Sequence, residues 1–125
     1  LIGRRHVRSN NSWMHNSHRL VKGKPRWQCL MHPDDLAELS IMDGQQVVIS
    51  SVAGEVTTQV QASDDMMPGV ISVPHGWGHK REGVQLSIAS QQEGINMNDL
   101  TDDAQYDKLS GNAALNGVPV RVTAA

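Results

Sequence analysis

Two strand-like runs joined by a tight turn constrain this chain more than any other feature. Residues 46–51 are rich in β-branched side chains, Ala53-Gly54 turns the chain, and residues 55–62 return with alternating character. Along the return Val56, Thr58, Val60 and Ala62 share one face, and Thr57, Gln59 and Gln61 share the other, because successive strand residues point to opposite sides. This stretch is committed to a half-buried hairpin.

Further short strands are expected around it. Met67-Pro68-Gly69 places Pro and then Gly at the centre of a turn, as type II geometry requires, and feeds a strand over 70–73 that Pro74 stops. Val118, Val120 and Val122 alternate in a last strand, where Pro119 marks an edge or a strand start. Residues 1–5 and 27–31 are also strand-like. His32-Pro33-Asp34-Asp35 reads as a helix start, since Pro at the first helical position lacks only a donor that would be unpaired there and the two carboxylates face the positive end of the dipole. Leu36 and Leu39 share a face of this short helix, which ends before Asp43-Gly44. From His75 to about Ala104 the chain is Gly-punctuated and irregular, with residues 84–89 ambiguous; so long an irregular stretch is uncommon in a compact domain unless it carries function. The polar segment Ser9 to Ser17 cannot order itself by burial and needs a partner. The expected class is a mainly β small barrel with one or two short helices and long loops, one domain over residues 1–125. Its expected core is Val47, Ile49, Val56, Val60, Val70, Ile71, Val73, Val120 and Val122.

Composition narrows the function classes. No run nears the roughly 18 apolar residues that span a bilayer, so no membrane insertion is expected. The absence of an initiator Met suggests a piece of a longer chain. The single cysteine, Cys29, excludes an internal disulfide framework and a Cys-rich zinc or iron-sulfur site within the chain, and cytoplasmic residence is expected. The net charge of −2 hides a division. Residues 1–33 carry seven of the eleven Lys and Arg and no acid, a formal +7; the remainder carries four bases and all thirteen acids, a formal −9. An N-terminal arm of that kind meets something anionic, such as a phosphate, a nucleic acid or an acidic neighbouring domain, or else is simply solvated.

Several chemistries lack their devices. There is no Gly-x-Ser-x-Gly elbow, no P-loop and no Gly-x-Gly-x-x-Gly after a strand, and Cys29 sits within an apolar run. The six histidines are not spaced for a metal: Asn16-Ser17 separates His15 from His18 with turn formers, and Gly76-Trp77-Gly78 separates His75 from His79. Two segments look made for binding. Arg4 and Arg5, followed by Asn11, Ser12, Trp13 and His15, combine charged donors for phosphate with amides suited to a heterocycle edge and an indole for packing. Pro74 to His79 brackets Trp77 with glycines that let backbone approach a flat ligand. A third pair, Asn98-Asp99, sets an amide beside a carboxylate able to accept from the N1–H and amino group of a guanine, although such pairs also cap helices.

Taken in order, these segments resemble the C-terminal dinucleotide-binding domain of the molybdopterin oxidoreductases, the family of dimethyl sulfoxide reductase, formate dehydrogenases and nitrate reductases. The matching pieces are Arg4 to Asn16, His32 to Ala37 running on to Ile41 to Val47, Ser51 to Val56, Pro68 to Val70, Pro74 to Gly78, Asn98 to Thr101, Asp107 to Ser110 and Val118 to Val122. The resemblance implies a double-psi β-barrel of the aspartate-decarboxylase-like kind. It also implies a bis(molybdopterin guanine dinucleotide) cofactor with molybdenum or tungsten, closed over by this domain against the preceding domains of a larger oxidoreductase. By motif position, Arg4 or Arg5 with Asn11, Ser12, Trp13 and His15 would touch phosphates and pterin, Trp77 would line the cofactor, and Asn98 and Asp99 would lie near a guanine or pterin edge. The family's metal ligand and any iron-sulfur cysteines belong to other domains, so the chain is expected to bind and not to turn over. A formate dehydrogenase-like or nitrate reductase-like parent is expected. The alternative is a non-catalytic double-psi barrel that binds a protein or nucleic acid through its basic arm.

Overall fold

A computed structural model describes all 125 residues. The order of elements is β1 (Ile2–Arg4), α1 (His18–Val21), β2 (Cys29–Met31), α2 (Pro33–Glu38), β3 (Gln46–Ser50), β4 (Glu55–Ala62), β5 (Ser72–Pro74) and β6 (Arg121–Ala124), with 3-10 turns at Ala89–Gln91 and Met97–Leu100 before β6.

The hairpin forms where expected. β3 and β4 pair antiparallel with Val47 opposite Thr58 and Ile49 opposite Val56, and the Ser51 hydroxyl closes the turn by accepting from the Ala53 amide at 3.0 Å. Thr58 and Val60 are buried, whereas Thr57 and Gln61 are exposed, so the period-2 pattern reports the buried face correctly. The sheet is mixed and six-stranded in the order β1-β5-β2-β4-β3-β6, with β1 parallel to β5 and β2 parallel to β4. It is open: β1 and β6 share no ladder. The segments beside them are tied where the Leu1 carbonyl accepts from the Gly117 and Val118 amides at 2.9 and 3.2 Å, the Leu1 amino group donates to the Val118 carbonyl at 2.8 Å and the Gly3 amide donates to the Asn116 side-chain oxygen at 2.8 Å. The bond between Leu1 and the Val118 amide also explains why β6 begins at Arg121 and not at Val118. The Val118 amide is taken by Leu1, and Pro119 has none to offer.

One apolar core fills the sheet's inner face, with Cys29, Met31, Val47, Ile49, Val60 and Val73 almost wholly enclosed together with Met97 and Leu100 of the second 3-10 turn. Val56, Val120 and Val122 pack at its rim half-buried. Val70, expected in the core and in a strand, lies just outside both, because the Met67–Val70 turn (Val70 amide to Met67 carbonyl, 3.1 Å) still holds it; the strand starts at Ser72. α2 starts at Pro33 under a His32 cap whose Nδ1 accepts from the Asp34 amide at 3.1 Å, and it buries Leu36 while Leu39 stays outside.

The polar segment 9–17 is ordered by a partner inside the chain. The Asn16 side-chain oxygen accepts from the Ile88 and Ala89 amides at 2.9 and 3.1 Å, pinning this loop to the irregular stretch that follows β5. α1, which the turn-rich composition of this region obscured, follows directly, and the basic arm closes its end: Arg8 donates to the carbonyls of Arg19 and Lys22, and Arg26 to those of Leu20, Val21 and Lys22. Helix C-terminal carbonyls are unpaired and partially negative, which suits a guanidinium. No helix is long and apolar enough to cross a membrane.

Candidate functional site

Three loops meet at the end of the sheet where β1 and β5 stop, and between them lies a polar cleft of about 490 Å³. The loop after β1 contributes Arg5, Asn11 and Ser12; the loop after β5 contributes His75 to His79; the turn before Met97–Leu100 contributes Asn96 and Asn98. The loops are held together by close backbone contact. Gly76, at φ +86°, lies so near Asn11 that no side chain fits between them, and a β-carbon on Gly3 would run into the His75 ring.

The floor is a ring stack. His15 is fully buried and lies on Trp77, with ring centroids 3.9 Å apart and planes inclined by 28°. His15 Nδ1 and His79 Nε2 share one hydrogen bond of 2.9 Å, so one of them carries the proton and the other accepts it. Burial holds His15 down at about 4, with the charge of His79 adding to the effect, so this ring is neutral at pH 7. His79 and His75 are shifted down as well, mainly by loss of solvent. Two polar atoms of the stack, His15 Nε2 and Trp77 Nε1, are buried with no hydrogen-bond partner. Orphaned buried polar groups are costly, and they mark where a polar group of a ligand has most to offer.

The residues expected from sequence separate into distinct roles. Arg5, Asn11, Ser12, Trp77 and Asn98 line the cleft, and His15 supports it from beneath. Arg5 lies on it with Nη1 donating to the Asn11 side-chain oxygen at 2.6 Å. Arg4 turns inward instead: its guanidinium donates to the backbone carbonyls of Ser72 (2.6 Å), Arg26 (3.3 Å) and Gln28, clamping β1 to β5 and to the chain entering β2. Strand alternation explains the difference, since adjacent arginines at a strand end face opposite ways. Trp13 is 84% exposed and takes no part in the cleft. Asn98 and Asp99 do not act as a pair. Asn98 faces the cleft, while Asp99 turns into a neighbouring recess, where its carboxylate accepts from Arg81 and, at 3.3 Å, from the Asn96 amide. The cap of the Met97–Leu100 turn is Asn96, whose side-chain oxygen accepts from the Asn98 amide at 3.1 Å.

Of the Pro74–His79 run the sequence points to Trp77 alone, whereas His75, His79 and Asn96 also line the cleft. The spacing of His79 from Trp77 was the available signal; nothing local points to Asn96. No three His, Cys, Asp or Glu side chains converge in a way that could hold a metal ion. Cys29 lies in the core with its thiol pushed up to about 12 by burial. None of the seven cations of residues 1–33 forms an ion pair with a carboxylate.

Comparison with known proteins gives this geometry its context. The profile described as Molydopterin dinucleotide binding domain matches residues 1–119. A tetrathionate reductase chain of Salmonella typhimurium is 30% identical over 121 residues, covering 83% of this chain and 12% of the relative. The molybdopterin-containing chain of the arsenate respiratory reductase of Chrysiogenes arsenatis is 28% identical over 115 residues, covering 87% of this chain and 13% of the relative. The chain thus spans about an eighth of these relatives. Among solved structures, acetylene hydratase from Pelobacter acetylenicus superposes on the whole chain with a TM-score of 0.73 at 19% identity, over 18% of its own length.

Proposed function

The chain belongs to the molybdopterin dinucleotide-binding domain family, and on that premise we propose that the cleft at the end of β1 and β5 holds part of such a cofactor for a larger oxidoreductase. The observation that carries this is the convergence of Arg5, Asn11, Ser12, Trp77, His79 and Asn98 from three separate loops on one polar cleft. The residues fit the group. Arg5, the one arm cation on the cleft and without a carboxylate partner, suits a phosphate, the side-chain amides suit a heterocycle edge, and the unpartnered Trp77 Nε1 is a donor in search of an acceptor.

Each residue has a distinct task in this reading. Arg5 supplies charge-assisted donors to a phosphate, while Asn11, already bonded to it, fixes where its guanidinium points. Trp77 presents an indole whose plane is set by the neutral His15 beneath it. Asn98 presents both a donor and an acceptor to a heterocycle edge. When bound, the cofactor supplies the molybdenum or tungsten at which electrons are exchanged with substrate. The guanine form of the dinucleotide, tungsten as an option and two cofactor copies are all part of the proposal. So is the double-psi barrel, which is supported by the parallel pairs β1/β5 and β2/β4 and by the Leu1 bonds between the sheet's two edges.

The parent is proposed to be a reductase of a small oxidised compound, as the tetrathionate and arsenate reductases are by name. The formate- or nitrate-type substrate expected from sequence finds no residue here to carry it. Cofactor-holding without turnover remains the proposed role of these 125 residues, with the preceding domains as partners. The alternative of a nucleic-acid-binding arm loses ground, because Arg4, Arg8 and Arg26 spend their donors on backbone carbonyls. Arg5→Ala and Asn98→Ala in the full-length parent are expected to lower both metal content by elemental analysis and pterin content by fluorescence after oxidation. Full content of both would sink the proposal.

A further inference from the structure

Asn116 and Gly117 fasten β1 to the segment that leads into β6. The Asn116 side-chain oxygen accepts from the Gly3 amide at 2.8 Å, and the Gly117 amide donates to the Leu1 carbonyl at 2.9 Å. Both residues are exposed, and Gly117 takes φ +73°, a conformation that side chains rarely adopt. Of the seven asparagines in the chain, Asn116 alone precedes a glycine.

The peptide nitrogen that follows an asparagine can reach the side-chain carbon Cγ and close a five-membered imide, and a glycine leaves that nitrogen unshielded because it has no Cβ. Here the carbon under attack is already prepared. The Gly3 amide sits on the oxygen where negative charge develops as Cγ is attacked, in the manner of a preorganised oxyanion donor. Gly3 is fixed in place, since it lies in register with Val73 of β5 and its α-carbon is hemmed in by the His75 ring. The leaving nitrogen, Asn116 Nδ2, is held by no protein partner.

We propose that Asn116 is a self-modification site whose conversion to isoaspartate unfastens β1 from the segment before β6. The Gly117 nitrogen gives up its proton and bonds to Cγ; the Cγ–Nδ2 bond breaks, and ammonia leaves with the hydrogen that Gly117 lost. Water then opens the imide. Opening at Cγ gives aspartate, whereas opening at the backbone carbonyl of residue 116 gives isoaspartate, in which the main chain runs through Cβ and Cγ and is one carbon longer. No oxidant, metal or co-reactant other than water is consumed. Aspartate still offers an oxygen to the Gly3 amide. The longer backbone displaces the Gly117 and Val118 amides from the Leu1 carbonyl, whose bonds of 2.9 and 3.2 Å have little distance to spare. The bond from Gly117 to Leu1 is also the brake: its nitrogen cannot attack while that N–H is held, so modification proceeds through local openings of this seam.

Ageing the 125-residue chain in mildly alkaline buffer, followed by peptide mass mapping, tests this. The mass gain of an amide-to-acid conversion is expected at Asn116 at least about tenfold faster than at Asn112, which is equally exposed but precedes Ala113. Isoaspartate should outweigh aspartate among the products. The isoaspartate fraction should melt below fresh protein and exchange faster at the Gly3, Gly117 and Val118 amides, with β3 and β4 unchanged. Asn116→Asp should melt and exchange like fresh protein, because the carboxylate keeps the Gly3 bond without lengthening the chain. Asn116→Gln, whose longer side chain closes a ring far more slowly, should not age at this position. Equal rates at Asn116 and Asn112, an isoaspartate fraction that exchanges like fresh protein, or an Asn116→Asp variant that exchanges like that fraction overturns the proposal.

Discussion

A β-carbon placed on Gly76 would lie 1.9 Å from the carbonyl oxygen of Asn11. Two loops far apart in sequence are thus in backbone contact, and at φ +86° the residue sits where side chains are strained even in open space. Gly76→Ala should destabilise the domain by at least about 2 kcal/mol, because the obstacle is backbone and cannot swing away. Denaturant unfolding measures this, and a loss under about 0.5 kcal/mol would show that the loops can separate freely.

The two arginines at the end of β1 should behave oppositely. Arg4→Ala removes donors from the carbonyls of Ser72, Arg26 and Gln28 and should lower stability by on the order of 3 kcal/mol. Arg5→Ala, at an exposed position, should shift stability by no more than about 0.5 kcal/mol while reducing cofactor content in the parent. Equal melting temperatures for the two variants would contradict the inward clamp.

Acid should weaken the fold through His15. Its folded value of about 4 lies below the ordinary 6.5, so between those values the unfolded chain binds a proton that the folded chain refuses. The associated stability is therefore complete above pH 6.5 and lost as pH falls toward 4, up to about 3 kcal/mol at 1.36 kcal/mol per pK unit. His75 and His79 act in the same direction. Urea midpoints taken from pH 7.5 to 4.5 should fall, and His15→Phe should flatten the slope; a flat wild-type profile would refute the buried neutral ring.

Asn16→Ala should free the Ile88 and Ala89 amides, which lose their common acceptor. Amide exchange is expected to quicken at residues 88 and 89 and in the segment 9–17, with β3 and β4 unaffected. Protection that persists at those amides would mean that Asn16 does not pin the loop.

What the sequence alone determined about this protein follows from short-range physics. The β3–β4 hairpin, the buried face of β4, the Pro68-Gly69 turn and the Pro33 helix start are all governed by side-chain alternation, backbone dihedral limits or capping within a few residues, and all were legible. The cleft-lining loops were legible as polar, glycine-punctuated segments with no means of ordering themselves. What only tertiary structure decided is how distant groups divide their hydrogen bonds. Arg4 and Arg5 look alike in sequence, but strand geometry sends one guanidinium to three carbonyls and leaves the other on the cleft. Asn98 and Asp99 are neighbours, yet the 3-10 turn points them into different spaces, and Arg81, 18 positions earlier, claims the carboxylate. His15 gains its depressed basicity from Trp77 and His79, more than 60 positions away. Local patterns record which backbone conformation a residue prefers, whereas a polar side chain's partner is whichever group the packed core brings within about 3 Å.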